Sequence, residues 1–366
     1  MRKSPLMGTL LAIALLPSLG AAPALAQGSR ASTPADVLTL VGRNDGKTRY
    51  QGKRTQQCIR QDMVLDSEAK IDFVDNDNYQ INVQNPKEIK GLNLVLDKGK
   101  MNVFFPGETL LFQNDNPVGS DEIKDLVLGR LTADQQALMQ NYKVTLEPEL
   151  DVVALYPCYK LTMEPADGYG PQSPPGHRFW VARETGVIMK EERFWGADQA
   201  AYFMSRFDTL SLTARPAIAL QLPPKVNKLK LATGTATEMR RFATPAEARA
   251  AGKKIYLPTE IPNGFKLRNV DVMTLYGTDI VLLRYNDGLS NMVVTYRTKP
   301  NMFLTLMAGA FALSLVDKIS KLSYHAPNNY AVIEKGDYLV YGYGDLWVDT
   351  LKSVANTVNV PTTPTK

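Results

Sequence analysis

The sequence predicts an α+β protein whose framework is antiparallel sheet. Three observations carry this. Short runs of alternating apolar and polar residues recur between clusters of Asn, Asp, Gly and Pro. A helical pattern interrupts them in mid-chain, and a Pro- and Lys-rich stretch then separates them from a second, shorter set of strands and helices. Period-two alternation marks strands with one face on a core, and strands grouped apart from helices indicate the α+β class.

The 366 residues suffice for about two domains, and 44% apolar content supplies their cores. Arg2 and Lys3, the apolar run Leu6 to Leu19 and Ala24-Leu25-Ala26 before Gln27 read as a secretory signal peptide over residues 1–26. No Cys follows the cleavage point, so the mature chain is expected to be exported, without a lipid anchor. Losing Arg2 and Lys3 lowers the formal charge from +5 to +3, too little to argue for nucleic acid. An oxidising compartment favours a disulfide between the two cysteines, Cys58 and Cys158.

The first domain is expected over 28–213. Thr33 caps a short helix that starts at Pro34. Strands are predicted at Tyr50 to Arg60, Met63 to Phe73, Tyr79 to Gln84, Leu92 to Leu96, Met101 to Phe105 and Thr109 to Phe112. Helices are expected after the caps Ser120 and Thr132. Strands resume at Lys143 to Leu146 and Val152 to Leu155 and run through Cys158 to Phe194 and on to Leu212. Gly186 supplies the positive φ of a tight hairpin, and Asp167 to Pro175 reads as an exposed loop.

Residues 214–253 read as a linker, with Leu222-Pro223-Pro224, three lysines and a short helix from Pro245 that stops at Gly252. The second domain is expected over 254–360. Strands are predicted at Leu267 to Tyr276, Ile280 to Tyr285, Met292 to Thr298, Ile319 to Tyr324, Tyr330 to Lys335 and Tyr338 to Tyr343. Asn286-Asp287-Gly288 signals a hairpin turn, Met302 to Val316 a buried helix, and Trp347 opens a last helix.

Catalytic signatures do not stand out. The two histidines, His177 and His325, are expected on strands or at the surface, and no metal site is expected. No nucleophile elbow, phosphate loop or metalloprotease motif occurs. Asp75, Asp77 and Asn78 fit a solvated turn better than a calcium loop, because Gln80 stands where the loop needs Gly. Glu147, Glu149 and Asp151 are expected at an exposed edge, with nothing beside them to raise a pKa. Met139, Met163 and Met189 are expected in cores. No enzyme activity and no cofactor is expected.

Four stretches carry a family resemblance. Tyr50-Gln51-Gly52 is similar to the "NYQG" start of the MucB/RseB family of periplasmic regulators. Pro165-Ala166-Asp167, the Gly/Tyr loop, His177 to Val181 and Glu184-Thr185-Gly186 resemble its central hairpin. Ile261 to Phe265 resembles its "LPPGF", and Tyr285 to Leu289 its "Y-S-DGL". The resemblance implies an unclosed antiparallel β-barrel of lipoprotein-carrier type covered by helices, then a smaller α+β domain. It also implies binding to the periplasmic part of a membrane-bound anti-sigma factor, and sensing of lipid-like or mislocalised envelope components. Phe73, Phe104, Phe105, Phe112, Phe179 and Trp180 are the residues expected to line the site of a hydrophobic or lipid ligand. A carrier of lipid or lipoprotein between membranes is the alternative reading. The sequence leaves the oligomeric state open.

Overall fold

A computed structural model describes residues 31–60, 63–105, 110–115, 131, 134–196, 200–231, 237–275, 278–299 and 328–362. The segment read as a signal peptide, the helix after Ser120, Met302 to Val316, the strand at Ile319 and His325 lie outside these residues. No described helix is long and apolar enough to cross a membrane.

Helix α1 (Pro34–Asn44) opens the described chain. Thr33 and Asp36 form a reciprocal capping box at its start, the capping expected from the sequence. Thirteen strands then build one large sheet. They are β1 (Tyr50–Arg60), β2 (Met63–Asp75), β3 (Asn78–Asn85), β4 (Asn93–Asp97), β5 (Lys100–Phe105), β6 (Leu110–Asn114), β7 (Tyr142–Leu146), β8 (Asp151–Val153), β9 (Tyr156–Pro165), β10 (Gly176–Ala182), β11 (Ile188–Phe194), β12 (Ala201–Ser211) and β13 (Asn227–Leu231). Their spatial order is β13-β6-β5-β4-β3-β2-β1-β12-β11-β10-β9-β7, with β8 on β9. β13 and β7 end the sheet without pairing to each other, so it is unclosed.

The sheet is mixed rather than purely antiparallel, because β13 joins β6 in parallel. That strand comes from residues expected to be a linker. The preceding segment, Thr213 to Val226, forms neither helix nor strand, and Ala219 N donates to Gln80 Oε1 on β3 at 3.2 Å. Its prolines keep it out of a ladder, but the apolar-polar alternation of Asn227–Leu231 is enough to add an edge strand.

Helix α2 (Gln135–Asn141) precedes β7 and is capped by Asp134 rather than Thr132. β14 (Thr237–Phe242) and helix α3 (Pro245–Ala250) follow β13. β14 begins a second sheet with β15 (Lys266–Leu275), β16 (Thr278–Asn286), β17 (Asn291–Thr298), β18 (Asn329–Lys335) and β19 (Tyr338–Gly344). The order is β14-β15-β16-β17-β19-β18, and helix α4 (Val348–Asn356) packs on β18 and β19. Its core joins Val270, Leu283, Val294 and Val340 of the strands to Leu351 and Ala355 of α4.

Register fixes which residues share a face of the large sheet. Tyr50 on β1 faces Phe73, Phe73 faces Tyr79, Tyr79 faces Leu96, and Leu96 faces Met101. These residues belong to one buried apolar cluster. Gly52 sits beside the bulge where β1 meets β12, and a Cβ there would lie 2.7 Å from the Thr209 carbonyl oxygen. The Tyr-Gln-Gly stretch is thus required by packing, with Tyr50 stacked on Phe73 at 4.8 Å.

Candidate functional site: the junction of the two sheets

The most specific polar chemistry lies where the sheets meet. The β16–β17 hairpin loop, expected as a plain turn, carries a fully buried Asp287. Its Oδ1 accepts from the backbone N–H groups of Leu289 (2.9 Å) and Ser290 (2.7 Å), a turn closed by its own side chain. Its Oδ2 accepts from two phenols of the large-sheet part, Tyr142 at 2.8 Å and Tyr169 at 2.7 Å. Tyr142 also meets Ser290 Oγ at 2.9 Å, and Asn141 Nδ2 donates to the Asp287 carbonyl at 2.6 Å. Burial, the largest influence, raises the carboxyl above its ordinary range, and the hydrogen bonds it accepts oppose that rise. Burial, then the Asp287 charge, push both phenols up.

Tyr169 corrects the expectation of an exposed loop. Asp167–Gln172 forms a short 3-10 helix, and Tyr169 is only 8% exposed because its ring is buried with the small sheet's core. Gly264 makes room for it: φ is +82°, and a Cβ there would lie 2.6 Å from the Tyr169 hydroxyl oxygen. Asn263 Nδ2 donates to the Gly168 carbonyl at 3.1 Å. Gly288 (φ +109°) is tighter, since a Cβ would lie 2.5 Å from the Leu138 backbone nitrogen. Three of the four stretches that carry the family resemblance therefore meet here, at Tyr169, Asn263-Gly264 and Asp287-Gly288.

A second clasp starts from the core face of β10 and β11. Arg193 donates to Glu191 Oε1 at 2.7 Å and also holds Asp345 beyond β19. Asp345 in turn accepts from Asn291 N at 2.7 Å. His177, expected at the surface or on a strand, is a buried residue of β10 with Nδ1 3.4 Å from Glu191 Oε1. Burial is the largest influence on Glu191 and raises it, but the charge of Arg193 and the contact with His177 together bring it down to about 2. Trp195 and Trp347 stack across the same seam at 4.1 Å.

The six residues expected to line a ligand site do not share a face. Phe73, Phe105 and Trp180 belong to one buried apolar cluster, with Phe112 against it. Phe104 and Phe179 are buried outside that cluster. Phe104 alternates away from Phe105 on β5, and Trp180 away from Phe179 on β10. Trp180 also donates to Asp151 Oδ2 at 2.7 Å and lies under Lys190 and Lys160. It borders two shallow charged hollows of about 360 and 400 Å³.

The expected disulfide is not made. Cys58 faces Phe203, Phe203 faces Arg193, Arg193 faces His177, and His177 faces Met163. Cys158 lies five residues from Met163 on the same strand, so alternation sends its thiol to the opposite face. Three strands also separate β1 from β9. Neither condition allows the Cα separation of under about 7 Å that a disulfide needs.

Met163 and Met189 are buried as expected, whereas Met139, on the outer side of α2, is 49% exposed. Asp75 forms the expected solvated turn, accepting from Asp77 N at 2.9 Å and Asn78 Nδ2 at 2.7 Å. Glu147, Glu149 and Asp151 are exposed, as expected. Asp151 is held below its ordinary range by Trp180, while Glu147 lies 3.8 Å from Lys160. Among the described residues no group of three or more His, Cys, Asp or Glu could hold a metal ion.

An open sheet is thus clasped to a smaller one through buried carboxylates. A scan of protein-family models and a search of curated proteins each find no match. Among solved structures, the chain shares the fold of MucB: identity is 17%, the TM-score 0.53, and the match covers 88% of this chain and 96% of that one. MucB in the Pseudomonas aeruginosa MucA/MucB complex matches with a TM-score of 0.51 at 16% identity, covering 89% of this chain and 98% of that one. The resemblance to the MucB/RseB family read from the sequence holds at the level of fold.

Proposed function

We propose that this chain is an exported, periplasmic regulatory protein. It binds the periplasmic part of a membrane-bound anti-sigma factor, and a hydrophobic or lipid-like envelope component on the core face of its large sheet alters that binding. The observation that carries this reading is the junction: both sheets are present, in the fold of a protein solved in complex with MucA, and they are joined through Asp287 and Asp345. The role is binding, not catalysis, since each buried carboxylate of the junction is held by donors from the chain itself.

A carrier of lipid or lipoprotein would need only the large sheet. The buried hydrogen bonds and ion pair of the junction and its three convergent motifs favour the regulator. The test is a titration of the purified mature chain with the periplasmic segment of the anti-sigma factor from the same cell. A complex of micromolar affinity or tighter is expected, on the order of 8 kcal/mol. Absence of any complex, together with transfer of lipoproteins by the same preparation, would replace the regulator by the carrier.

A further inference from the structure

We propose that Arg54 anchors the anionic group, a carboxylate or phosphate, of an amphiphile whose apolar part lies along the core face of the large sheet. The proposal rests on the reading that this face takes a hydrophobic ligand, and it names the chemistry of that ligand's polar end.

Arg54 stands in the middle of β1, opposite Ala69 on one side and Phe207 on the other, and is only 1% exposed. Nε donates to Ser205 Oγ at 2.7 Å and Nη1 to the Ile188 carbonyl at 3.1 Å. The guanidinium lies 4.8 Å from the centroid of the Phe207 ring. Nη2 is buried and has no hydrogen-bond partner among the described residues.

The other well-packed arginines differ. Arg193 holds Glu191 and Asp345, and Arg241 and Arg284 both hold Asp271. Arg54 makes no such ion pair among the described residues. Glu191 reaches it only as a more distant charge and is already engaged by Arg193. A desolvated cation without a counter-ion is costly, and an unpaired donor at its tip adds to that cost. An anionic ligand oxygen supplies both missing partners at once, and the planar fork suits carboxylate or phosphate.

The surroundings select an amphiphile over a hydrated ion. Tyr50 stacks on Phe73 and meets the edge of Phe207 at 5.6 Å, so the guanidinium sits at the margin of an aromatic floor. A free anion would give up its water there without burying any apolar surface, whereas a tail on that floor offsets the loss. The position also bears on the junction. Glu191, in the field of Arg54, holds Arg193, and Arg193 holds Asp345 of the small-sheet part.

The test is calorimetric titration of the full mature chain, below the critical micelle concentrations, with dodecyl phosphate, neutral dodecyl maltoside and inorganic phosphate. Dodecyl phosphate is expected to bind, and Arg54→Gln to weaken it by about tenfold or more while leaving dodecyl maltoside within about twofold. Inorganic phosphate is expected to bind far more weakly than dodecyl phosphate. Equal binding of both amphiphiles to wild type and Arg54→Gln would overturn the anchor and leave the hydrophobic-ligand reading standing. Binding of neither amphiphile to the wild-type chain would overturn that reading and the anchor with it. Inorganic phosphate binding as tightly as dodecyl phosphate, and lost in Arg54→Gln, would make this a free-anion site and overturn the amphiphile. Should Arg54→Gln fail to fold, the wild-type preference decides: dodecyl phosphate must bind about tenfold or more tighter than the neutral amphiphile.

Discussion

Tyr169 and Asp287 are 118 residues apart in the chain, yet the phenol donates to the carboxylate at 2.7 Å with both groups buried. Tyr142 completes the pair of donors at 2.8 Å. Removing one hydroxyl leaves a buried charge short of a hydrogen bond, which costs about 1–3 kcal/mol. Tyr169→Phe is expected to lower unfolding stability by that amount in urea titrations. Because both phenols share one oxygen, Tyr142→Phe/Tyr169→Phe should deviate from the sum of the single losses. A double variant as stable as wild type would refute the clasp.

The glycines of the same junction should differ in tolerance. Gly264 and Gly288 both hold positive φ. The first crowds the tip of the Tyr169 side chain, which can shift, and the second crowds the backbone of α2, which cannot. Gly288→Ala is therefore expected to cost more than Gly264→Ala, with about 1 kcal/mol of backbone strain common to both. Thermal midpoints of the two variants measure the order, and a reversal would show that α2 yields more readily than Tyr169.

Asp287 and Glu191 should act oppositely with pH. The folded pKa of Asp287 is raised, first by burial, so the unfolded chain releases this proton earlier as pH rises. Its ionisation then costs stability from the ordinary value of 3.8 up to the raised folded value. For Glu191, burial acts upward and is the largest influence, but Arg193 and His177 outweigh it and the folded value falls to about 2. That stabilisation is present above the ordinary 4.5 and is lost as pH falls from 4.5 through about 2. Urea titrations between pH 7 and 2 should show Glu191→Gln flattening this acid limb, and parallel wild-type and variant curves would contradict it.

Most of the strand framework was legible because alternation and turn residues act locally. β1 runs over Tyr50–Arg60, as its pattern predicts. The junction was not legible in the same way. Asn286-Asp287-Gly288 announces a hairpin, and a hairpin Asp is ordinarily solvated, so nothing local marks Asp287 as buried. Tyr169 was masked by a Gly- and Pro-rich context that reads as exposed loop. The one available signal was indirect: a buried phenol needs a partner, and Tyr142 and Tyr169 share theirs at Asp287, far along the chain. The ligand-lining set mixed faces because aromatic character was read without parity: adjacent Phe104 and Phe105, like adjacent Phe179 and Trp180, must point opposite ways. The disulfide expectation failed for the same reason, since compartment and count carry no information about faces.

The thiols should therefore behave as independent buried groups. Burial pushes the Cys158 thiol up to about 12, far from the range in which thiolates form. Reductant is expected to leave the unfolding midpoint unchanged. Iodoacetamide should leave Cys158 unmodified in the folded chain, and two thiols should titrate once the chain is unfolded. A midpoint that drops on reduction would show that the cysteines pair after all.

Arg193 offers the sharpest test of how the two sheets are coupled. It neutralises Glu191 beside it on β11 and Asp345 at the end of β19, so replacing it with Met strands two buried carboxylates. Breaking a buried pair by removing one partner costs about 3–5 kcal/mol, and here a single substitution breaks two. Adding Glu191→Gln and Asp345→Asn to Arg193→Met removes the stranded charges, and most of that loss should return. Trp195 and Trp347 stack across the same seam, so their fluorescence reports the junction separately from the global unfolding seen by circular dichroism. In Arg193→Met the fluorescence transition is expected at lower urea than the dichroism transition, as the seam opens before the sheets unfold. Coincident transitions at full loss of stability would mean the sheets fold as one cooperative unit, with no separable junction.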